Sequence, residues 1–114
     1  MKEIKAIIQP FMLDRVLHAL AAIDKLPGVT VSPVTGWGRT RGEGASDAVQ
    51  EGGHRLAKKT KLEIVVSDAL APEVTEAIAA SARTGNIGDG KIFVADVEAA
   101  IKIRNGERSE EAHR

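Results

Sequence analysis

Two segments of this chain repeat the same order of an apolar strand, a break and an amphipathic helix. The first covers residues 4–20 and the second residues 62–78. In both helical parts the apolar residues recur at three- and four-residue spacing, which is typical of a helix with one buried face. Each helix is followed by a further strand pattern, so the order β-α-β occurs twice. This order predicts an α+β ferredoxin-like sandwich of βαββαβ type.

The predicted elements leave one face of the sheet uncovered. Strands are predicted at 4–8, 29–34, 61–66 and 91–97, with helices from 12 to 24 and from 68 to 85. Pro33 lacks an amide donor, which favours a sheet edge or a bulge. Asp68 is expected to cap the second helix, Pro72 to lie in its first turn and Gly85 to end it. Both helices lie on one face, so a closed oligomer is expected to cover the other.

Composition excludes several kinds of chemistry. A chain of 114 residues is expected to form one domain, 1–114. Its 16 basic and 16 acidic residues cancel, and aromatic residues are scarce, so neither nucleic acid nor an anionic membrane is an expected partner. The absence of cysteine excludes disulfides, thiolate metal sites and cysteine nucleophiles. With no signal peptide or membrane span in the sequence, a cytoplasmic location without membrane insertion is expected.

Residues 84–91, Thr-Gly-Asn-Ile-Gly-Asp-Gly-Lys, form the most informative motif. Three glycines allow the backbone to curl around an anion and present amide donors, and Lys91 adds a cation. Gly85, Gly90 and Lys91 have the spacing of a P-loop, but Ile92 stands where a magnesium-binding Ser or Thr is required. The motif also follows a helix and precedes a strand, the reverse of a P-loop. It predicts a phosphate-binding loop of a different design.

Two further segments carry cations beside glycine. Residues 37–60 form a long loop with little apolar content, which predicts a functional or disordered segment. Its start, Gly-Trp-Gly-Arg-Thr-Arg-Gly at 36–42, is a weak phosphate-site signal, and no helix follows it as in a dinucleotide fingerprint. Residues 101–108 contain Lys102 and Arg104, which an extended backbone would place on one side. A solvated tail explains this pair alone, whereas with the loop at 84–91 it predicts a polyphosphate clamp.

These motifs resemble the PII signal-transduction family over nearly the whole chain. The resemblance rests on Pro-Phe-Met-Leu-Asp at 10–14, Gly-Trp-Gly-Arg at 36–39, Arg-Thr-Gly-Asn-Ile-Gly-Asp-Gly-Lys-Ile-Phe at 83–93 and Ile-Arg-Asn-Gly-Glu at 103–107. It implies a ferredoxin-like fold assembled as a compact homotrimer. It also implies an adenine nucleotide (ADP, AMP or ATP) in each cleft between subunits and no covalent cofactor, with the requirement for Mg²⁺ left open.

The resemblance also implies which residues hold the nucleotide. On the phosphate side these are Gly36, Gly38, Arg39, Gly88, Asp89, Gly90 and Lys91, together with Lys102 and Arg104 from the neighbouring subunit. On the adenine side they are Thr30, Glu63 and Ile64, the last through its backbone. From the residues alone, an exposed strand carboxylate is the alternative explanation of Glu63.

The chain departs from the family at three places. Thr40 stands where nitrogen-sensing members have a glutamine that helps to hold magnesium and 2-oxoglutarate, while Lys59 matches the family's helper lysine. Thr40, Arg41 and Lys59 are therefore the candidate site of a second effector, either 2-oxoglutarate or a small anion such as bicarbonate. Lys102 replaces an arginine and loses its bidentate geometry, which favours fewer phosphates. The chain contains no tyrosine, so the loop tyrosine modified in many relatives is missing.

The leading interpretation is a non-enzymatic signal transducer. Nucleotide occupancy would change the order of the 37–60 loop, which then engages a partner protein or membrane transporter. An alternative is a sensor outside nitrogen control that combines ADP or AMP with bicarbonate or another small anion, near carboxysomes or transport systems. A slow nucleotide hydrolase lacks a general base placed by a motif. A metal-binding trimer is a third class, in which His54 could contribute one ligand from each subunit. The three histidines (His18, His54 and His113) lie far apart in sequence, which favours lone surface residues.

Overall fold

A computed structural model of the protein describes residues 1–37, 48–51 and 54–108 and confirms the α+β class. The elements, in chain order, are β1 (Lys2–Ile8), α1 (Leu13–Ala21), β2 (Thr30–Gly36), β3 (Ala48–Glu51), β4 (His54–Val66), α2 (Ala71–Ala82) and β5 (Gly90–Asp96). The four longer strands form an antiparallel sheet in the order β2-β4-β1-β5, and β3 pairs with β4. With the β3 hairpin set aside, this is the strand order of a ferredoxin-like βαββαβ fold.

The core lies between the sheet and the two helices. Alternate residues of β1 and β4 point to the helical side, because side chains of a strand alternate between its faces. Ile4 and Ile8 of β1 and Leu62 of β4 are almost completely buried there. Val16 of α1 and Ile78 of α2 belong to the same buried cluster. The apolar face of the strands, with its two-residue period, therefore packs against the apolar faces of α1 and α2 in one buried layer.

The second half of the long predicted loop is partly strand. β4 begins at His54 rather than at residue 61, and β3 occupies Ala48–Glu51 within the segment 37–60. The backbone of β4 pairs with β2 as far as Gly36 opposite Ala57, and this pairing holds the charged residues of the segment in an extended form. The predicted strand began too late because residues 54–59 show no apolar alternation, which is the signal that marks a half-buried strand.

The ends of α2 correct two predictions and confirm another. Pro72 lies in the first turn as predicted, but the N-cap is Leu70, and no side chain caps the helix. The Asp68 carboxylate instead pairs with the N-terminal ammonium at 2.9 Å. The helix ends at Ala82, before the extended residue Arg83, so Gly85 is not its stop. Gly85 adopts φ +88° inside the following loop, where its conformational freedom is used.

The sheet face opposite the helices is open in the described chain. Strand register places its side chains in rows, of which one contains Thr30, Glu63, Lys5 and Phe93. Phe93 is 54% exposed in this row. Pro33 lies on β2, at an edge of the sheet as predicted. Among the described residues, none of the helices is long and apolar enough to span a bilayer.

Candidate functional site

The loop between α2 and β5 lies at the carboxyl end of β1. Gly90 pairs with Ile8 across the two strands, and Lys91 pairs with Ile7. Gly88 and Gly90 adopt φ +98° and +109°, which L side chains rarely tolerate. A Cβ atom on Gly90 would also lie 1.7 Å from the Ile7 carbonyl oxygen. The backbone of the loop is therefore specified by glycine, as the sequence motif predicted.

The Asp89 carboxylate organises the loop from within. It accepts hydrogen bonds from the amide of Thr84 at 2.8 Å, from the amide of Gly85 at 2.9 Å and from the Thr84 hydroxyl. The Thr84 Oγ1 atom in turn accepts a hydrogen bond from the Asn86 amide at 3.2 Å. The hydroxyl bond is the largest cause that lowers the pKa of Asp89, and the two amides and the charge of Arg83 add to it. The carboxylate is thus held ionised by the loop itself.

Lys59 joins the loop to the sheet. Its Nζ atom donates to the Gly88 carbonyl oxygen at 2.7 Å, and the side chain comes from the part of β4 that the sequence did not predict as strand. Lys91 is exposed on β5, which β1 separates from β4. No hydrogen bond from the amides of Ile87 and Gly88 to another described residue is present. These two amides and the Lys59 ammonium group beside Gly88 form an arrangement that can bind an anion, and Lys91 adds a cation three residues along the chain.

An open depression of about 270 Å³ lies beside this loop. Its lining includes the charged residues Arg83, Asp89 and Lys91 and the apolar residues Ile78 and Ile92. Two basic residues beside apolar ones suit a ligand that has both an anionic and an apolar part. Three predicted phosphate-site residues, Asp89, Gly90 and Lys91, line this depression.

The predicted adenine-side residues lie elsewhere on the sheet. Thr30 and Glu63 are direct partners across β2 and β4. Glu63 also pairs with Lys61 at 3.4 Å. Ile64 is 1% exposed and faces the core, so only its backbone is available to a ligand. Glu63 lies four residues from Lys59 along β4, which is roughly 13 Å at the rise of a strand. Thr30 and Glu63 therefore do not reach the phosphate loop within one chain.

The C-terminal pair Lys102 and Arg104 lies on a turn, which corrects the expected extended segment. The amide of Gly106 donates to the Lys102 carbonyl at 2.7 Å, and the amide of Lys102 donates to the Glu107 carbonyl at 2.9 Å. The Lys102 Nζ atom lies 3.8 Å from a Glu107 carboxylate oxygen. Local hydrogen bonds thus override the alternation read from the sequence. Within the described part of the chain, no hydrogen bond or ion pair links Lys102 or Arg104 to the phosphate loop.

Several predicted residues lie outside the described residues. These are Gly38, Arg39, Thr40, Arg41 and His113. Gly36 is the last residue of β2, opposite Ala57. Within residues 1–37, 48–51 and 54–108, no group of three His, Asp or Glu side chains has the geometry of a metal site.

Comparison with known proteins identifies the family. The family described as "Nitrogen regulatory protein P-II" matches residues 1–107. The chain is 47% identical to the nitrogen regulatory protein P-II of Rhizobium etli over 112 residues, which cover 98% of this chain and 99% of the relative. It is 47% identical to that of Rhodospirillum rubrum and 46% identical to that of Nostoc punctiforme, with the same two coverages. The chain belongs to the P-II family. It is accordingly a signal-transduction protein of a family of regulators that act through partner proteins.

Three contacts of this P-II family member were missed from the sequence. Thr84 was not singled out as the partner of Asp89, although a hydroxyl residue before a glycine turn is a common partner of a loop carboxylate. Lys61 was not connected to Glu63, although residues two apart on a strand share one face. The Lys59 bond to Gly88 had no local signal, because it joins residues that are 29 positions apart.

Proposed function

We propose that this protein binds an adenine nucleotide with its phosphates on the loop 84–91 and transmits the occupancy to a partner protein through the segment 37–60. The observation that carries the proposal is the backbone at Gly88, whose amide has no acceptor among the described residues and whose carbonyl oxygen meets the ammonium group of Lys59. Lys91 follows three residues later as an exposed cation of the same loop. Oxygen atoms of a phosphate can accept from the amides while the lysines balance its charge. Asp89 does not cancel this field, because its carboxylate is engaged by the loop.

A second copy of the chain would complete the site. The adenine-side pair Thr30 and Glu63 and the pair Lys102 and Arg104 do not meet the phosphate loop within one chain. The open face carries the exposed ring of Phe93, and Ile103 is 98% exposed beside the two cations. Burying such apolar groups against other subunits is favourable. The homotrimer implied by the resemblance would bring Lys102 and Arg104 of a neighbour to the phosphates.

Lys59 supplies a route from the nucleotide to the partner. It contacts the loop at Gly88 and lies on the part of β4 that belongs to the segment 37–60, which runs back through His54 to β3. A phosphate at Gly88 would compete with the carbonyl for the ammonium group or shift it. The change would act directly on β4, whose first residues belong to the segment 37–60. Coupling of this kind requires that the nucleotide favour one of two arrangements of the segment.

A small anion is the second candidate ligand, and the same lysine favours it. The Lys59 ammonium group is only partly buried, so an anion could share it with the Gly88 carbonyl. Thr40 supplies a short hydroxyl where a glutamine would reach a larger ligand, which leaves 2-oxoglutarate and a compact anion such as bicarbonate as alternatives. The second candidate would place the protein outside nitrogen control, with ADP or AMP as the nucleotide. Mg²⁺ remains a condition to be varied.

Isothermal titration with ATP, ADP and AMP tests the proposal, each with and without Mg²⁺, 2-oxoglutarate and bicarbonate. Lys91→Gln should weaken ATP binding by about tenfold to a hundredfold, the range for losing a hydrogen bond to a charged group. The loss should be smaller for AMP, which has fewer phosphates. Lys25→Gln, in the connection between α1 and β2, is the matched control and should bind as the wild type. A folded wild-type protein that binds none of the three nucleotides would refute the proposal.

A further inference from the structure

The Asp89 carboxylate raises a chemical question, because an acid in a phosphate-binding loop should repel the ligand. Two unit charges of the same sign a few ångströms apart oppose each other strongly where water is excluded. Here the carboxylate faces the start of its own loop. It accepts from the amides of Thr84 and Gly85 at 2.8 and 2.9 Å and from the Thr84 hydroxyl. These donors occupy its oxygen atoms and direct them away from the tip of the loop.

We propose that Asp89 is a positioning residue, whose carboxylate holds residues 85–88 in the conformation that receives a phosphate without touching the phosphate itself. The proposal rests on the proposed function. The contacts between residues 84 and 89 close the ends of the loop against each other. The Thr84 hydroxyl extends the closure by accepting the Asn86 amide at 3.2 Å. The segment between these ends is thereby fixed before any ligand arrives.

Closing the loop determines which amides remain for a ligand. The amides of Thr84, Gly85 and Asn86 are used by the closure. The amides of Ile87 and Gly88 are left at the tip, where Ile87 is 63% exposed and Gly88 has φ +98°. On the opposite side of the tip, the Lys59 ammonium group holds the Gly88 carbonyl at 2.7 Å. The Asp89 carboxylate on one side and the Lys59 ammonium group on the other therefore fix the tip. Little conformational entropy of the backbone is then lost when the ligand binds.

The two possible roles of Asp89 predict effects of opposite sign. If the carboxylate lies against the phosphates, removing its charge relieves repulsion and tightens ATP binding. If it positions the loop, the isosteric change Asp89→Asn loosens the loop and weakens ATP binding. Asparagine can keep one oxygen for the two amides, which share Oδ2, but it removes the charge that strengthens these bonds and places an NH2 donor where the Thr84 hydroxyl donates. The weakening should reach about tenfold, the scale of one lost charge-assisted hydrogen bond.

Thr84 provides the matched variants. Thr84→Val preserves the side-chain shape and removes the hydroxyl, and it should weaken ATP binding several-fold. Thr84→Ser retains the hydroxyl and should bind as the wild type. In the double variant Asp89→Asn/Thr84→Val the loss should be smaller than the product of the two single losses, because both act through the same contact. A variant that affected folding alone would lower the melting temperature without this coupling.

The experiment measures dissociation constants of ATP, AMP and inorganic tripolyphosphate by titration calorimetry, with hydrogen exchange of the loop amides by NMR. Asp89→Asn should weaken ATP and tripolyphosphate more than AMP and should accelerate exchange at Thr84 and Gly85. If Asp89→Asn fails to fold, the ATP affinities of Thr84→Val and Thr84→Ser test the inference instead. Weaker binding in the valine variant, with wild-type binding in the serine variant, supports it, and equal binding in both overturns it. Wild-type affinity or tighter binding in Asp89→Asn overturns the inference but leaves the proposed function standing. A wild-type protein that binds neither ATP nor tripolyphosphate overturns both.

Discussion

Gly90→Ala is expected to destabilise the protein severely, because the structure leaves no room for a methyl group at that position. A Cβ atom on Gly90 would lie 1.7 Å from the Ile7 carbonyl oxygen and 2.8 Å from the Ile7 carbonyl carbon. These are backbone atoms of the central strand β1, so no side-chain rotation relieves the contact. The strands β1 and β5 would have to separate where Gly90 pairs with Ile8.

The expected loss follows from three contributions. Forcing φ +109° on an L residue costs about 1–2 kcal/mol. Opening a packed contact costs about 1–3 kcal/mol, and weakening one strand hydrogen bond costs about 0.5–1.5 kcal/mol. Together they give about 2.5–6.5 kcal/mol, a large part of the roughly 5–15 kcal/mol that is typical of a domain's free energy of unfolding. The measurement is urea unfolding at one fixed protein concentration, followed by circular dichroism.

Two other glycines separate the causes. Gly85 has φ +88° but nothing within 4 Å of the place that a methyl group would occupy, so Gly85→Ala should lose only the conformational part, about 1–2 kcal/mol. Gly28 has open space and no positive φ, so Gly28→Ala should be neutral or up to about 1 kcal/mol more stable. A Gly90→Ala protein that unfolds at the same urea concentration as Gly85→Ala would refute the steric reasoning.

Two further predictions concern acid stability and the core. The pKa of Asp68 is lowered by the N-terminal ammonium group, and the pKa of Asp89 is lowered by the Thr84 hydroxyl. Both carboxylates therefore stabilise the fold at pH values above their ordinary pKa of 3.8. This stabilisation is lost as the pH falls through their lower pKa values in the folded protein. In Asp68→Asn the free energy of unfolding should therefore fall less steeply below about pH 4 than in the wild type, as measured by urea unfolding over a series of pH values. An unchanged pH dependence would contradict the stabilising role of the Asp68 carboxylate. Ile64→Val should cost about 0.5–1.5 kcal/mol in urea unfolding while ATP affinity stays unchanged, because its side chain is buried and only its backbone would meet a ligand. A matched loss of ATP affinity would place the Ile64 side chain in the site.

The elements that the sequence predicted well are those with a local pattern. The apolar alternation of β1, the helical spacing of α1 and the edge position implied by Pro33 all appear in the structure. The glycine motif at 84–91 likewise forms a loop with positive φ at Gly88 and Gly90. Each of these signals arises from steric preferences of neighbouring residues, which the unfolded chain already possesses.

The elements that the sequence misplaced depend on contacts that no periodic pattern of the sequence marks. Residues 54–59 of β4 became strand through pairing with β2 and β3, and their own sequence carries no apolar alternation. Asp68 was expected at a helix cap but meets the N-terminal ammonium group, a contact between residues far apart in the chain. Lys102 was expected on an extended segment, but hydrogen bonds to Gly106 and Glu107 close a turn there. In each case a contact formed in the folded chain outweighed the local preference.

By itself, the sequence determined the two β-α-β units, the glycine loop and the kinds of charge beside it, because periodicity and glycine conformation are local properties. Only the tertiary structure decided that Lys59 lies 2.7 Å from the Gly88 carbonyl and that Asp89 faces the start of its own loop. The first contact needs the register of β4 against β1, which brings together residues distant in sequence. The second needs the loop to close, and either of two carboxylate directions would have fitted the same sequence motif.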